Sequence, residues 1–239
     1  MPEVFERHGP SEKSMMSLVA AAVLSQYSTA SPQPLRPPNG TYSYSITDGI
    51  GPPIFKSTIK VTGSGLTFAI SETVKLPNGA IATTRSTWSN ATLLPLSFEV
   101  RQGKVDLRAR ITPAAVTFID MPGTMARIQG TSYILPSVGL IASSMMIPYV
   151  VTAHPGESFT LAEIQNNQTV LVRPDDVSPA SGGPQGDVAI TVTKDRKHGD
   201  DTDRENIVAW LNRETGVMDE GRVSPGRATI RLLGFTPNL

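Results

Sequence analysis

The chain of 239 residues contains no cysteine. Disulfide bonds, thiolate metal sites and cysteine nucleophiles are therefore excluded. The chain also has no excess charge of either sign, because Lys+Arg and Asp+Glu both number 21. A nucleic-acid-binding protein normally carries a basic excess, so this balance argues against a nucleic-acid partner. The same balance gives the chain as a whole no electrostatic attraction to an anionic membrane.

The motifs of the common catalytic sites are lacking as well. The sequence has no Gly-x-Ser-x-Gly elbow, no glycine-rich phosphate loop and no dinucleotide fingerprint. We therefore predict no cofactor and assign no catalytic residue. His154, which precedes Pro155-Gly156, is the only histidine of the predicted packed region and is typical of a turn residue. A hydrolase that uses His154 is the least favoured alternative.

One acidic segment superficially resembles a calcium-binding loop. Residues 198–205 contain four aspartate or glutamate side chains, and oxygen ligands suit a hard cation. The segment lacks the full pattern of such a loop, and Lys194, Arg196, Lys197 and Arg204 offset its carboxylates. We interpret it as a solvated hairpin and predict no metal site.

What the sequence does contain is strand periodicity, most clearly over residues 41–119. Apolar and polar residues alternate there with a period of two, so each strand has one apolar face and one solvent-exposed face. Asn78-Gly79 and Gln102-Gly103 are hairpin-turn signals between such strands. The pattern predicts a mainly β protein, in which roughly ten antiparallel strands curl into an incomplete barrel. The predicted apolar positions include Tyr42, Tyr44, Ile59, Val61, Leu66, Phe68, Ile70, Val74, Leu76, Phe98, Val100, Leu107 and Ile111.

The first residues have the pattern of a secretory signal. Residues 15–24 are apolar, Arg7 and Lys13 precede them, and Ser28-Thr29-Ala30 provides small residues for cleavage after Ala30. We predict a signal peptide over residues 1–30, a proline-rich linker over 31–39 and a single half-barrel domain over 40–239. This organisation predicts a periplasmic or secreted protein.

An apolar helix is predicted over residues 138–147, with Ser137 as its cap and Pro148 as its end. Residues 131–153 carry no charge, and a helix that is apolar on all sides is normally buried. We place it on the concave face of the sheet, where it is free to act as a plug or lid because no charge ties it down. The segment is too short, and too broken by Pro136 and Pro148, for the about 20 residues of a membrane span.

The helix and the sheet together predict a cavity for a hydrophobic small molecule or a lipid. Any part of the apolar face that the helix leaves uncovered becomes such a cavity. Methionine side chains are flexible and suit an adaptable surface, although plain core packing remains the alternative. The predicted ligand-binding residues are Phe68, Ile70, Phe98, Leu107, Met145 and Met146.

Three stretches carry a resemblance to a known family. Residues 40–44 open the first strand, residues 88–98 follow the same pattern as a strand pair, and Trp210 begins a Trp-x-x-x-x-Thr-Gly turn that ends at Gly216. With the signal-like start, the chain resembles the uncharacterised exported members of the LolA/LolB-like periplasmic half-barrel superfamily. The resemblance implies a half-barrel and a role in binding or carrying lipids or acyl chains. A structural or interaction protein of the cell envelope with a packed core is the alternative.

Overall fold

The computed structural model describes residues 36–48, 53–76, 78–120, 129–137, 141–163, 168–180, 187–198, 201–212, 214–224 and 228–238. The predicted signal peptide and most of the predicted linker lie outside these residues. The described part contains one α-helix, α1 (Ala142–Ala153), and a single 3₁₀ turn at Pro174–Asp176. Its strands are β1 (Gly40–Asp48), β2 (Pro53–Ser64), β3 (Thr67–Lys75), β4 (Ile81–Ser89), β5 (Pro95–Gln102), β6 (Val105–Thr112), β7 (Ala115–Phe118), β8 (Tyr133–Ser137), β9 (Phe159–Glu163), β10 (Gln168–Val172), β11 (Val177–Pro179), β12 (Val188–His198), β13 (Asp201–Leu211), β14 (Met218–Ser224) and β15 (Ala228–Pro237).

Twelve of these strands form one antiparallel sheet in the order β11-β12-β13-β14-β15-β1-β2-β3-β4-β5-β6-β7. Neighbours in the sheet are neighbours in the chain, except where the last strand pairs with the first, Thr41 opposite Thr236. The predicted large antiparallel sheet is confirmed. It has more strands than the roughly ten that the pattern predicts, and the short β7 and β11 leave its two edges unjoined, so the barrel is incomplete.

Strand β3 shows why the sequence forms this sheet. Phe68, Ile70, Glu72 and Val74 are buried, while the residues that alternate with them point outward. Each strand therefore has one face for the core and one for solvent. At the predicted turn between β3 and β4, Gly79 has a φ of 80°, a left-handed conformation that glycine adopts without strain.

A second sheet of three strands, β10-β9-β8, lies inside the curl of the first, with β8 and β9 parallel. Its two faces pack into different cores. Tyr133 and Phe159 face the cluster that surrounds α1, whereas Ile134 and Ala162 pack with Phe98 and its neighbours on β5 and β6. A strand buried on both faces is apolar without alternation, as in Tyr133–Pro136. The period-two pattern therefore missed β8.

Helix α1 differs from the prediction at both ends. It spans Ala142–Ala153 with Ile141 at its N-cap position, and Ser137 belongs to β8 rather than to a cap. Residues 138–140 lie outside the described part. Pro148 is inside the helix instead of ending it. An interior proline removes one helical hydrogen bond and costs about 3 kcal/mol, which the burial of Tyr149, Val150 and neighbouring side chains offsets.

The position of α1 shows how far the sheet curves. The helix contacts β3 on one side and β13 and β14 on the other. Five strand spacings separate β3 from β13 in the sheet, which is about 24 Å if the sheet were flat. A helix is only about 10–12 Å across, so the sheet must wrap around it. Within the described residues, no helix is long and apolar enough to span a membrane.

Candidate functional site

The six predicted ligand-binding residues do not form one site. Phe68, Ile70, Met145 and Met146 are buried together in the cluster around α1. Phe98 is buried in the second cluster, where Leu107 packs against it. The small sheet lies between the two groups, because its strands contribute side chains to both clusters. Their role in binding a ligand stays a prediction.

A buried carboxylate holds the start of α1. Glu72 is only 1% exposed although it lies on β3, between Ile70 and Val74. Its Oε1 accepts hydrogen bonds from Ser57 Oγ at 2.7 Å and from the Ile141 amide at 3.0 Å, and its Oε2 accepts one from the Ala142 amide at 3.2 Å. The first amides of a helix have no partner within the helix and carry the positive end of its dipole. Glu72 therefore caps α1 from the sheet.

The prediction that the helix is free to act as a plug or lid needs correction. The helix itself carries no charge, but the Glu72 carboxylate on β3 binds its first turn. The sequence held one signal of this cap: Glu72 occupies an inward position in the run of Phe68, Ile70 and Val74. A carboxylate at such a position needs several donors to compensate for the loss of water.

The other end of α1 borders a cavity of about 230 Å³. Its floor is aromatic, since Tyr133 and Phe159 stack with their rings 5.4 Å apart and 3° from parallel. Both rings are about 1% exposed, whereas Gly156 and Glu157 at the rim are exposed to solvent. None of the six predicted residues lines the cavity. Its lining comprises Tyr133, Val151, His154, Pro155, Gly156, Glu157, Phe159, Pro174 and Val177.

The hydroxyl of Tyr133, a residue that lines this cavity, is an unusual polar group. Its oxygen is shielded from solvent and has no hydrogen-bond partner among the described residues. Buried hydroxyls are nearly always hydrogen-bonded, so an unpaired one on a residue that lines a cavity is a candidate contact for a polar ligand atom. Burial raises the pKa of Tyr133, and the Glu157 carboxylate raises it further. The hydroxyl therefore stays protonated and is available as a donor.

His154 has both ring nitrogens occupied by acceptors. Its Nε2 lies 2.6 Å from the Thr92 carbonyl oxygen and its Nδ1 lies 3.4 Å from Glu157 Oε1. A histidine base must present an unprotonated nitrogen to the nucleophile, and Nε2 is used here to donate to the backbone. The described hydrogen bonds bring no serine hydroxyl to this ring. The arrangement positions Glu157 at the rim and links α1 to the turn after β4.

The acidic segment lies in the β12–β13 hairpin. Strand β12 runs to His198 and β13 begins at Asp201, with Asp195 and Arg204 paired across it at 3.3 Å. Among the residues that the structure describes, no group of three or more histidine, aspartate or glutamate side chains is placed to hold a metal ion.

Sequence reasoning missed the cavity because its walls come from several elements of the chain. Tyr133 is on β8, Val151 and His154 are at the end of α1, Phe159 is on β9, and Val177 is on β11. Comparisons with models of known protein families, with curated proteins and with solved structures find no match for this chain.

Proposed function

We propose that this protein binds a small hydrophobic molecule in the cavity at the C-terminal end of α1. The observation that carries the proposal is a mostly apolar cavity lined by Tyr133, whose buried hydroxyl has no hydrogen-bond partner among the described residues. Ligand sites are typically apolar clefts with a few placed polar groups. The export that residues 1–30 predict, and a carrier role in the periplasm or outside the cell, belong to the same proposal.

The cavity volume limits the size of the ligand. Pockets for drug-sized molecules measure about 300–1,000 Å³, whereas an apolar cavity of about 150 Å³ is enough for benzene. At about 230 Å³, this cavity fits a single ring with a short substituent, or the end of a longer acyl chain. The flat pair of Tyr133 and Phe159 favours a ring, because offset stacking adds to simple burial.

The hydroxyl defines the chemistry of the ligand. The Tyr133 hydroxyl can donate a hydrogen bond and has no acceptor among the described residues, so the ligand should carry an acceptor such as a carbonyl oxygen. Glu157 at the rim disfavours an anionic ligand, since like charges repel. We therefore expect a neutral aromatic or short-chain carbonyl compound.

Two probes of nearly the same shape test this chemistry. Acetophenone has a carbonyl acceptor and ethylbenzene does not, and the binding of each can be measured by ligand-observed NMR. The protein should prefer acetophenone, and Tyr133→Phe should remove that preference, about 2–10-fold for one hydrogen bond. The variant should be as stable as the wild type or more so, because it removes an unpaired buried donor.

A filling substitution tests the cavity itself. Val177→Trp places a large ring in the cavity from an edge strand and should abolish binding of both probes. The matched control is Val188→Trp on the adjacent strand β12, where the side chain is 38% exposed and does not line the cavity. If Val177→Trp binds the probes as well as the control does, the cavity is not the site. If neither probe binds the wild-type protein, a structural or interaction protein with a packed core is the better description.

A further inference from the structure

The neutral total charge conceals an uneven distribution on the outer face of the sheet. At the end of the sheet where β2, β4 and β6 begin, exposed lysines and aliphatic side chains lie together. We name this group the basic strand-end patch. It comprises Lys56, Lys75, Lys104, Ile54 and Ile81.

The register places two of these lysines against each other. Lys56 on β2 is directly opposite Lys75 on β3, and both side chains are exposed. Like charges at directly opposite positions of an antiparallel pair are destabilising. Ile81 on β4 is the next residue in the same row, opposite Lys75. The fold therefore keeps a repulsive pair beside an exposed apolar side chain.

Nearby acidic groups do not relieve this repulsion. Glu99 and Asp106 pair with Arg101 at 2.5 Å and 3.6 Å, and Asp120 pairs with Arg108 through both carboxylate oxygens. The described ion pairs do not include Lys56, Lys75 or Lys104. Among the described residues, no carboxylate forms an ion pair with any of the three lysines of the patch.

The aliphatic members distinguish between kinds of anionic partner. Ile81 is 60% exposed and Ile54 42%, both at the same end of the sheet. Lysines mixed with exposed aliphatic side chains suit the interface of an anionic bilayer, where the charges meet headgroups and the apolar groups enter the acyl boundary. The outward positions of β2 to β6 hold no aromatic side chain, so the stacking platform of single-stranded nucleic-acid binders is lacking from these strands.

From this arrangement we propose that the basic strand-end patch docks the protein on the surface of an anionic phospholipid membrane. The proposal does not depend on the ligand cavity. His154 reaches Thr92 in the turn after β4, whereas Ile81 begins β4, so the two sites lie at opposite ends of a strand about 27 Å long. Loss of one site leaves the other in place.

Vesicle co-sedimentation of the full chain tests the docking. Phosphatidylcholine vesicles with and without phosphatidylglycerol are compared at low and at physiological salt. Wild-type protein should bind only the anionic vesicles, and more weakly as salt increases. Lys56→Gln with Lys75→Gln should weaken binding about 30-fold, since each lysine near such a surface contributes about a fivefold factor. Lys104→Gln, which lies in a turn, should weaken it about fivefold and serves as a second variant.

The matched control removes two exposed cations elsewhere. Arg173→Gln with Arg204→Gln lowers the net charge equally. Arg204 on β13 lies four strand spacings from β2, about 19 Å, and Arg173 precedes Pro174 beside the cavity. Vesicle binding should stay within about twofold of the wild type because charges beyond a Debye length are screened. Ile81→Ser should weaken vesicle binding without weakening retention on heparin. The proposal is wrong if the lysine variants bind anionic vesicles as the wild type does, if neutral vesicles bind equally well, or if the protein binds heparin but no vesicles.

Discussion

The carboxylate of Glu72 offers the sharpest test of how this fold is held together. Replacing Glu72 with alanine removes the acceptor of the Ile141 and Ala142 amides and of the Ser57 hydroxyl. A buried donor left without a partner costs about 1–3 kcal/mol, and the lost charge at a helix start costs up to about 2 kcal/mol more. We expect the free energy of unfolding to fall by about 3–6 kcal/mol, a large part of the about 5–15 kcal/mol typical of a domain.

Urea unfolding followed by circular dichroism measures this change, and hydrogen exchange localises it. Exchange of the Ile141 and Ala142 amides should accelerate more than exchange of amides in β2 and β3, because the helix start opens before the sheet. Ser57→Ala should have a smaller effect, about 1–2 kcal/mol, since one hydroxyl donor to a charged acceptor is lost. Glu99→Ala is the matched control, because this carboxylate is on the outer face in a surface ion pair worth about 0–1 kcal/mol.

The result that would refute the reasoning is specific. If Glu72→Ala unfolds within about 1 kcal/mol of the Glu99→Ala control, the carboxylate is not the main anchor of α1. Unchanged exchange at Ala142 in the same variant would lead to the same conclusion. Glu72→Gln separates charge from shape: it keeps the volume and one acceptor oxygen, so its cost should fall between those of Ser57→Ala and Glu72→Ala.

Two further predictions concern close packing and alkaline stability. Gly63→Ala should lower the free energy of unfolding by about 1–3 kcal/mol in urea titrations, because a Cβ there would meet Phe68 Cα at 2.4 Å. In the following turn, a Cβ at Gly65 would meet no atom, but the φ of 70° at Gly65 makes any substitution there strained. Burial raises the pKa values of Tyr44 and Tyr149, while unfolded tyrosines ionise near about 10. The folded phenols thus retain protons that the unfolded chain has lost, so stability should fall steadily as the pH rises above about 10, and phenol absorbance and circular dichroism should change together. Phenol ionisation well before unfolding would contradict this.

How much of the fold the sequence predicts depends on how many faces of an element are covered. In strands with one solvent-exposed face, such as β3, apolar and polar residues alternate, and these strands were predicted directly. Strand β8 is buried on both faces, so its sequence does not alternate. Helix α1 is apolar on all sides, so no change of polarity in the sequence marks where the helix starts or ends. Pro148 was interpreted as a stop signal, but tertiary burial outweighs the local cost of a proline.

The candidate site was harder still to predict, for a different reason. A cavity is defined by what several distant segments leave unfilled, and periodicity within one segment carries no information about that space. The six predicted residues were chosen for apolar character, and five of them are fully packed in the two clusters. That the Tyr133 hydroxyl lacks a hydrogen-bond partner can be recognised only from the structure.

The cap from β3 also bears on the order in which the protein folds. An uncharged segment of 12 residues without its own cap is a poor helix in isolation, because helix nucleation is costly and short helices are marginal in water. Ser57 and Glu72 precede α1 in the chain, so a ribosome makes the acceptor for the helix before it makes the helix. The β2–β3 hairpin can then act as a template on which this uncharged, apolar segment is organised as soon as it emerges. Strands β13 and β14, which cover the helix from the other side, arrive only afterwards.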